Sequence, residues 1–307
     1  MSFEHVFDEM EIDADPFALC ELLGRCDLGL GRQAFATLHY VLAGEGEILL
    51  GDRRTIGVAP GTLVLIPAVQ PHTLRSHGER GNPLPACRPA EVGLARHLHK
   101  IGEGDEAARL LAICSQVKIG VRGLHGLVDL IREPIVERIG QDSPLAATVD
   151  QLLAELSNPV LGSRAMIRVL LQQCMIHLLR RRLDAREQAL HWMAVLADES
   201  LWSALRAMLD QPGGQHSVES LADAAGMSRS TFAERFSAAY GSGPMELLRS
   251  LRMHLAASLL AQSETPVKRI AELVGFKSRS AFTKTFESHT GKPPQRFRAD
   301  TRGGKDH

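Results

Sequence analysis

Several features that would narrow the function of this 307-residue chain are missing from its sequence. The formal net charge is only -1, so the molecule as a whole is no obvious binder of a polyanion. No apolar run approaches the eighteen or so residues that cross a bilayer, and the acidic, polar N-terminus is unlike a signal peptide. The five cysteines are odd in number and scattered, which does not indicate a disulfide framework. We therefore expect a cytoplasmic protein with no membrane partner.

One sequence pattern occurs twice in the C-terminal third, over residues 217–236 and again over residues 266–286. In each copy a short helical segment ends in a glycine, Gly226 or Gly275, which suits the left-handed conformation that stops a helix and turns the chain sharply. The serines that can cap the next helix are Ser228 and Ser278. The phenylalanines that we expect to turn inward on that helix are Phe232, Phe236, Phe282 and Phe286. This layout is that of a helix-turn-helix, whose second helix enters the major groove of DNA.

A single copy would be a weak signal, because glycine-broken helix pairs are common, but two copies about fifty residues apart are a strong one. Between them, residues 244–261 carry leucines at helical spacing behind Pro244, which suits the first turn of a helix. A helix of about eighteen residues spans about 27 Å, against about 34 Å for one repeat of the major groove. Such a helix could hold two recognition helices in successive grooves on one face of DNA.

Residues 198–298 resemble the DNA-binding domain of AraC/XylS transcription regulators, with Gly275-Phe276 and Gly291-Lys-Pro-Pro294 fitting the signatures of its second half. The resemblance implies a double helix-turn-helix domain over residues 198–300, a homodimer, and double-stranded promoter or operator DNA and RNA polymerase as partners of what we expect to be an activator. Residues 190–307 hold about 15 Lys and Arg against 12 Asp and Glu. Because this surplus is modest for non-specific DNA binding, dimerisation or specific contacts would carry much of the affinity.

By the same resemblance, ten residues of the two recognition helices face or flank the groove. They are Arg229, Ser230, Thr231, Ala233, Glu234, Arg235, Arg279, Ser280, Thr283 and Lys284. An arginine can bond guanine bidentately, Glu234 can accept a hydrogen bond from cytosine N4, and Ala233 can only touch a thymine methyl. We expect Arg235 to pair with a phosphate or with Glu234.

The first part of the chain changes to a period of two from residue 33. Short alternating or apolar stretches over residues 34–41, 47–50, 55–58 and 62–66 are separated by glycine and proline, which predicts an antiparallel barrel or sandwich. The order of Gly44, Pro60-Gly61, Pro67 and His72 resembles a cupin barrel, the sensor domain that AraC-family proteins often carry. The predicted fold class is therefore α+β. Its parts are a cupin-like antiparallel β-barrel over residues 1–140, a helical dimerisation and linker segment over 141–190, and the all-α domain over 198–300.

Many cupins bind a metal, but here only His72 falls on a ligand position of that family, so we expect neither a metal nor another cofactor. Residues 75–109 predict a long cation-rich loop, which could clamp an anionic effector or be a solvated surface loop. The candidate residues for binding an unknown small-molecule or anionic effector are His39, His72, Arg75, Arg80, Arg88 and Arg96. No spacing of nucleophile and base supports a catalytic residue, which argues against a cupin enzyme.

The rest of the N-terminal part divides into strands and helices. Residues 112–119 predict a closing strand and residues 125–139 could carry barrel edges, whereas residues 17–24 are too short to classify. A helix is predicted over 145–156 behind the cap Ser143-Pro144, and an apolar stripe predicts another over 164–183. The family resemblance implies that this pair forms the dimer interface, and packing on the chain's own barrel is the alternative.

The cysteines leave a second functional hypothesis open. Cys114 and Cys174 lie in apolar surroundings that favour core packing. Cys87 lies beside Arg88, where a thiolate would be favoured, and Cys20 occupies an N-terminal place similar to that in oxidant-sensing members of the family. Oxidant sensing through Cys20 and Cys87 is therefore one alternative to a small-molecule effector. A constitutive regulator whose barrel serves only as a dimerisation scaffold is the other.

Overall fold

The computed structural model of the chain resolves two compact units. The described residues are 7–8, 10–31, 33, 35–77, 88–90, 109–121, 124–125, 131, 133–140, 143–184, 195 and 198–303. One unit, here called the sheet unit, comprises residues 12–118 and 133–185. The other, here called the helical unit, comprises residues 1–11, 119–132 and 186–307.

The described strands form two sheets. Their bounds are β1 (Met10–Leu23), β2 (Asp27–Gly31), β3 (Ala36–Ala43), β4 (Gly46–Leu50), β5 (Thr55–Val58), β6 (Thr62–Ile66), β7 (His72–Ser76), β8 (Arg88–Ala90), β9 (Arg109–Val121), β10 (Leu124–His125) and β11 (Ile135–Arg138). The first sheet has the order β11-β6-β3-β9-β1-β8, with β10 paired to β9, and the second has the order β2-β7-β4-β5. The pairings of known register, such as β3 with β6 and β4 with β7, are antiparallel. The predicted antiparallel, cupin-like sheet domain is therefore confirmed.

The inward faces of the two sheets form one apolar core, because strand side chains alternate between the two faces of a sheet. In β4 and β7 every second residue is buried, as the period-two pattern predicts. Ile48 and Leu74 from one sheet join Val64 and Leu110 from the other in this core. The core also contains three cysteines, Cys20, Cys26 and Cys114.

The structure corrects the predicted loop over residues 75–109 at three places. Arg75 lies in β7, residues 88–90 form β8, and Arg109 begins β9. Residues 78–87 and 91–108 of the predicted loop lie outside the described residues. The predicted strand over residues 112–119 is confirmed, but it is longer and runs between β3 and β1 in the middle of its sheet. Residues 17–23, left unclassified from the sequence, belong to β1.

The two predicted helices that follow the strands are confirmed as α1 (Pro144–Ser157) and α2 (Ser163–Asp184). Ser143 caps α1 by accepting a hydrogen bond from the amide of Ala146. The helices pack against each other, and the buried side chains of α2 follow the predicted stripe except at Met166, which is half exposed. Two arginines near the end of α2, Arg181 and Arg182, form ion pairs with Glu137 of β11, whose side chain is only 8% exposed.

The helical unit holds seven described helices. They are α3 (Glu199–Asp210), α4 (Val218–Ala224), α5 (Arg229–Tyr240), α6 (Pro244–Gln262), α7 (Val267–Leu273), α8 (Arg279–Thr290) and α9 (Pro294–Gly303). Pro244 stands at the first turn of the long helix α6, where its missing amide costs no hydrogen bond. Along α6 the buried positions are those of Leu247, Leu248 and Leu251, followed by Met253, Ala256, Ala257 and Leu260. Leu255 and Leu259, which the leucine spacing places in the same stripe, are only partly buried.

Candidate nucleic-acid interface

Each repeated motif turns at a glycine with left-handed backbone geometry, as predicted. Gly226 has φ of +65° and Gly275 has φ of +80°, a region that side chains with a Cβ rarely occupy. Ser228 then accepts a hydrogen bond from the amide of Thr231 at 3.3 Å, and Ser278 accepts one from Ala281 at 3.4 Å. These caps start α5 and α8, the second helix of each motif.

The inner faces of α5 and α8 are anchored by phenylalanine pairs that solvent does not reach. Phe232, Phe236, Phe282 and Phe286 are each 0% exposed. The ring centroids of the first pair lie 5.5 Å apart and those of the second pair 5.6 Å apart. Removing one such ring typically costs about 3–5 kcal/mol, so these pairs stabilise the orientation of the opposite, polar face.

The polar faces carry the ten residues predicted to lie at DNA. In α5 the side chains of Arg229, Ser230, Thr231, Glu234 and Arg235 are exposed and Ala233 is partly so. In α8, Arg279, Ser280 and Lys284 are exposed and Thr283 is partly so. Both faces are therefore exposed to solvent.

The two faces differ in their charge. In the first motif Arg229 is paired with Glu219 at 2.8 Å, and Arg235 is paired with Asp198, the cap of α3. The prediction that Arg235 pairs with Glu234 is therefore wrong, because its partner within the protein is Asp198. A helical residue points away from its immediate neighbour, and Arg235 instead reaches back to the start of α3.

Among the described residues of the second motif, Arg269 is paired with Glu272, but the cations of the recognition helix α8 are not engaged in this way. No acidic partner of Arg279 or Lys284 occurs within the described part of the chain. Over residues 266–286 the charged residues are Lys268, Arg269, Glu272, Lys277, Arg279 and Lys284. Five cations against one acid make this motif the more favourable one for phosphate, whereas residues 217–236 hold two cations against three acids.

The sheet unit contains a second group of predicted site residues, a buried line of four polar side chains here called the thiol–imidazole chain. Cys20, Cys114 and His39 are 0% exposed and His72 is 3% exposed. The Sγ atoms of Cys20 and Cys114 lie 2.8 Å apart, and Cys114 Sγ lies 3.2 Å from His39 Nδ1. His39 Nε2 lies 2.8 Å from His72 Nε2.

One backbone carbonyl sets the direction of this chain. His72 Nδ1 lies 3.2 Å from the carbonyl oxygen of Gln70, which can only accept, so Nδ1 carries the proton. In neutral His72, Nε2 therefore accepts a hydrogen bond from the Nε2–H group of His39. The other ring nitrogen of His39, Nδ1, then accepts a hydrogen bond from the thiol of Cys114. Burial lowers the pKa of His72 to about 4 and lowers the pKa of His39 well below its usual value, so both imidazoles are neutral at pH 7. Burial raises the pKa of Cys114, so that thiol keeps its proton.

Of the other predicted effector residues, Arg75 lies away from the thiol–imidazole chain. Arg75 donates two hydrogen bonds of 2.7 Å to the carboxylate of Asp27 at the surface, so its guanidinium is already engaged. Arg88 belongs to β8, and Arg80, Arg96 and Cys87 lie outside the described residues. Cys26 is disulfide-bonded, a bond that the scattered cysteines did not predict.

Comparison with known proteins agrees with both units. A family model described as a helix-turn-helix domain matches residues 221–300, and one described as a cupin matches residues 2–184. A putative AraC-like transcription regulator of Streptomyces lividans is 33% identical over 256 residues, which cover 81% of each chain. A second, from Streptomyces antibioticus, is 32% identical over 85% of this chain and 86% of its own. This chain belongs to the AraC-like transcription regulators. An Escherichia coli relative, the RCS-specific HTH-type transcriptional activator RclR, is 37% identical over 110 residues, which cover 36% of this chain and 39% of that one.

As a member of this family the protein is a DNA-binding transcription regulator with a cupin-like N-terminal domain. No group of three or more His, Cys, Asp or Glu in the described ranges is arranged to hold a metal ion. The thiol–imidazole chain illustrates why, because both ring nitrogens of His39 face different partners and its polar atoms run in a line instead of converging. None of the helices in the described part is long and apolar enough to cross a membrane.

Sequence reasoning missed Cys114 as a partner of Cys20. Period-two alternation in β9 could have indicated that Cys114 faces inward, but the neighbour of β9 is β1, almost a hundred residues away in sequence. Non-local strand pairing is not encoded in the local pattern, so the contact was out of reach. Asp27, the partner of Arg75, was missed for the same reason, and Asp198 was missed because its contact with Arg235 depends on how two helices pack.

Proposed function

We propose that this AraC-like regulator binds its promoter DNA with both recognition helices, α5 and α8, in successive major grooves. The observation that carries the proposal is the repeated geometry: two capped helices with fully buried phenylalanine pairs and open polar faces, joined by α6. Helix α6 has 19 residues and is therefore about 28 Å long, close to the repeat of about 34 Å between successive major grooves.

The charge difference between the motifs suggests a division of labour. Because Arg279 and Lys284 have no acidic partner among the described residues, α8 would supply most of the attraction to phosphate and a bidentate contact to guanine. With Glu234 as an acceptor and its arginines already paired, α5 would mainly discriminate between bases. We expect Arg279→Ala to lose about 1–3 kcal/mol at the matched site and to relax one base position.

The test uses the full chain and a duplex selected by the wild-type protein from a random-sequence pool, with affinity measured by fluorescence anisotropy at fixed salt. Arg206→Ala is the matched control, because Arg206 is an exposed arginine of α3 outside both motifs and is paired with Asp210. If Arg279→Ala binds as tightly as the control and keeps the same base preference, α8 is not the reading helix.

We further propose that the regulator is a homodimer formed through the turn and helix after α1. Val160, Leu161, Met166 and Val169 are 70%, 105%, 49% and 57% exposed, and with Ser163 and Glu155 they line a groove of about 370 Å³. Contiguous exposed apolar surface of this kind marks interaction sites. Leu161→Asp should shift the full chain from dimer to monomer in sedimentation equilibrium. Val58→Thr, a substitution at a buried position outside this surface, should not. A dimer that persists in Leu161→Asp would exclude this surface as the interface.

The proposed regulatory element is the thiol–imidazole chain, since it is a continuous line of buried polar side chains, two of which, Cys20 and Cys114, belong to the apolar core. An effector that reaches His39 or His72 would have to replace hydrogen bonds that are already made, so its binding would change the packing between the two sheets. We also propose that the protein contacts RNA polymerase at its promoter and activates transcription. Activation is favoured because the relative RclR is named as a transcriptional activator. Melting of the full chain with sugars, aromatic acids and nucleotides tests effector binding, because a ligand of the native state raises stability by mass action.

A second candidate function, oxidant sensing, is favoured by the 2.8 Å contact between the Sγ atoms of Cys20 and Cys114. A hydroperoxide would oxidise one thiol to a sulfenic acid and leave as an alcohol, and the other thiol would then displace water and form the S–S bond. Cys87, the partner assigned from the sequence, lies outside the described residues. Peptide mass spectrometry after peroxide treatment should find Cys20 joined to Cys114, because their Sγ atoms are already in contact, and should find Cys174 joined to neither. Reduced Cys20 and Cys114 in protein that has lost DNA binding would exclude this function.

A further inference from the structure

The second helix-turn-helix motif is in contact with the loop that precedes the first one. The loop after α3, residues 211–216, packs directly on the turn of the second motif. A methyl group placed on Gly213 would lie 1.9 Å from the carbonyl oxygen of Leu273 and 3.3 Å from the amide nitrogen of Gly275. Because real Cβ atoms do not approach so closely, only glycine lets these two stretches of backbone meet.

Arg252, from the middle of α6, holds that loop in place. Its Nε donates a hydrogen bond to the carbonyl oxygen of Pro212 and its Nη2 donates one to the carbonyl oxygen of Gly214, both with a length of 2.7 Å. The two carbonyls flank Gly213, so one planar guanidinium bridges the residues on either side of the contact. The guanidinium is partly withdrawn from water, and this desolvation lowers the pKa of Arg252.

The contact continues to both recognition helices. On one side, Gly275 itself is the turn that leads into α8, and a methyl group there would lie 2.6 Å from the carbonyl oxygen of Gly213 and 3.0 Å from the guanidinium of Arg252. On the other side, the loop begins at the end of α3, whose cap Asp198 is bound by Arg235 of α5. A path of direct contacts therefore joins α5 to α8 through α3 and runs beside the covalent connection through α6.

We propose that Arg252 and Gly213 form a rigid junction that fixes the spacing of the two recognition helices. The two DNA segments that α5 and α8 of one protomer contact are here called half-sites, and the junction would allow binding at only one separation between them. A single helix allows the chain to bend at each of its ends, whereas the second path of contacts, which Arg252 anchors to the middle of α6, restricts that bending. Arg252 is a positioning residue in this proposal and makes no contact with DNA itself. The inference rests on the proposed insertion of both recognition helices.

The experiment measures spacing tolerance in the full chain. The probes are the duplex selected by the wild-type protein, the same duplex with one base pair inserted between its half-sites, and duplexes with either half-site scrambled. One inserted base pair moves the second groove by about 3.4 Å and turns it by about 35°. Wild-type protein should lose about 100-fold in affinity on insertion, because the second half-site no longer benefits from a high effective concentration.

Arg252→Met should bind each single half-site as well as wild type does but should lose no more than about threefold on insertion. Arg252→Lys keeps the charge but cannot donate to both carbonyl oxygens in the geometry of a guanidinium, so it should behave like Arg252→Met. It replaces Arg252→Met in the experiment if the methionine variant does not fold. Gly213→Ala should give the same result, with Gly243→Ala as its control, since no atom lies within 4 Å of a methyl group there. Arg249→Met removes an exposed charge from the same helix and should keep the wild-type penalty.

The outcomes separate the two proposals. A spacing penalty that is unchanged in folded Arg252 and Gly213 variants overturns the junction and leaves two-groove binding intact. A wild-type protein that tolerates the inserted base pair, or that selects a single half-site, overturns two-groove binding and the junction together.

Discussion

The buried histidine pair predicts that the sheet unit loses stability in mild acid. Burial lowers the pKa of His72 from 6.5 to about 4, so between these values the unfolded chain binds a proton that the folded chain does not. A group with a lowered folded pKa of this kind leaves stability unaffected above about pH 6.5 and reduces it as the pH falls toward 4. The lowered pKa of His39 acts in the same direction.

The magnitude follows from the two pKa values. At pH 5 almost one proton separates the unfolded from the folded chain at this site, which gives a loss of about 2 kcal/mol between pH 7.5 and pH 5 from His72 alone. Against a total stability of about 5–15 kcal/mol for a typical protein, a loss of that size is readily measured.

The assay compares wild type with His72→Gln, which can still accept a hydrogen bond from His39 but does not titrate. Urea unfolding of the full chain is followed by circular dichroism at pH 7.5 and pH 5, and hydrogen exchange of peptides from β3 and β6 identifies the transition of the sheet unit. The free energy of unfolding should fall by about 2 kcal/mol less in the variant than in wild type. His254, whose pKa burial lowers to about 4 in the helical unit, is present in both proteins and cancels.

A control comes from His77, which is 52% exposed and only 3.6 Å from Glu47. His77→Gln shows what the loss of a solvent-exposed imidazole does to the same measurement. If His72→Gln loses as much stability as wild type does between the two pH values, His72 is not neutral in the folded protein and the assigned direction of the thiol–imidazole chain is wrong.

Three further predictions concern the stability of the two units. Phe286→Ala should cost about 3–5 kcal/mol in urea unfolding of the helical unit, because it empties a fully buried site, whereas Phe276→Ala at a partly buried site should cost clearly less. Ser278→Ala should cost about 1 kcal/mol in the same measurement through loss of the cap on α8, and an unchanged midpoint would mean that the 3.4 Å contact is not a stabilising bond. Glu137→Gln should lower the thermal midpoint of the sheet unit, with a loss of about 1–3 kcal/mol, because Arg182 is only 17% exposed and would lose its charged partner; Glu133→Gln, which removes an exposed partner of Arg54, should have little effect.

Much of the helical unit could be predicted from local sequence. The turns at Gly226 and Gly275, the caps at Ser228 and Ser278, and the proline at the start of α6 each depend on residues within one or two helical turns of each other. A helix buries one stripe whatever it packs against, so the phenylalanine spacing alone identified the inward face. The same spacing was less informative in α6, where Leu255 and Leu259 are only partly buried because the neighbours along the helix change.

Only the tertiary structure decided which elements that are distant in sequence come into contact. The partner of Cys20 depends on β1 lying beside β9, the partner of Arg235 on where α3 begins, and the place of Arg75 on the pairing of β7 with β2. The junction at Arg252 likewise needs a loop, a turn and a helix to meet. By itself the sequence determined which segments become helix or strand and which face each one buries, because those properties depend on short-range geometry. Which charged and thiol side chains meet depends on how the segments pack, and only the folded chain contains that information.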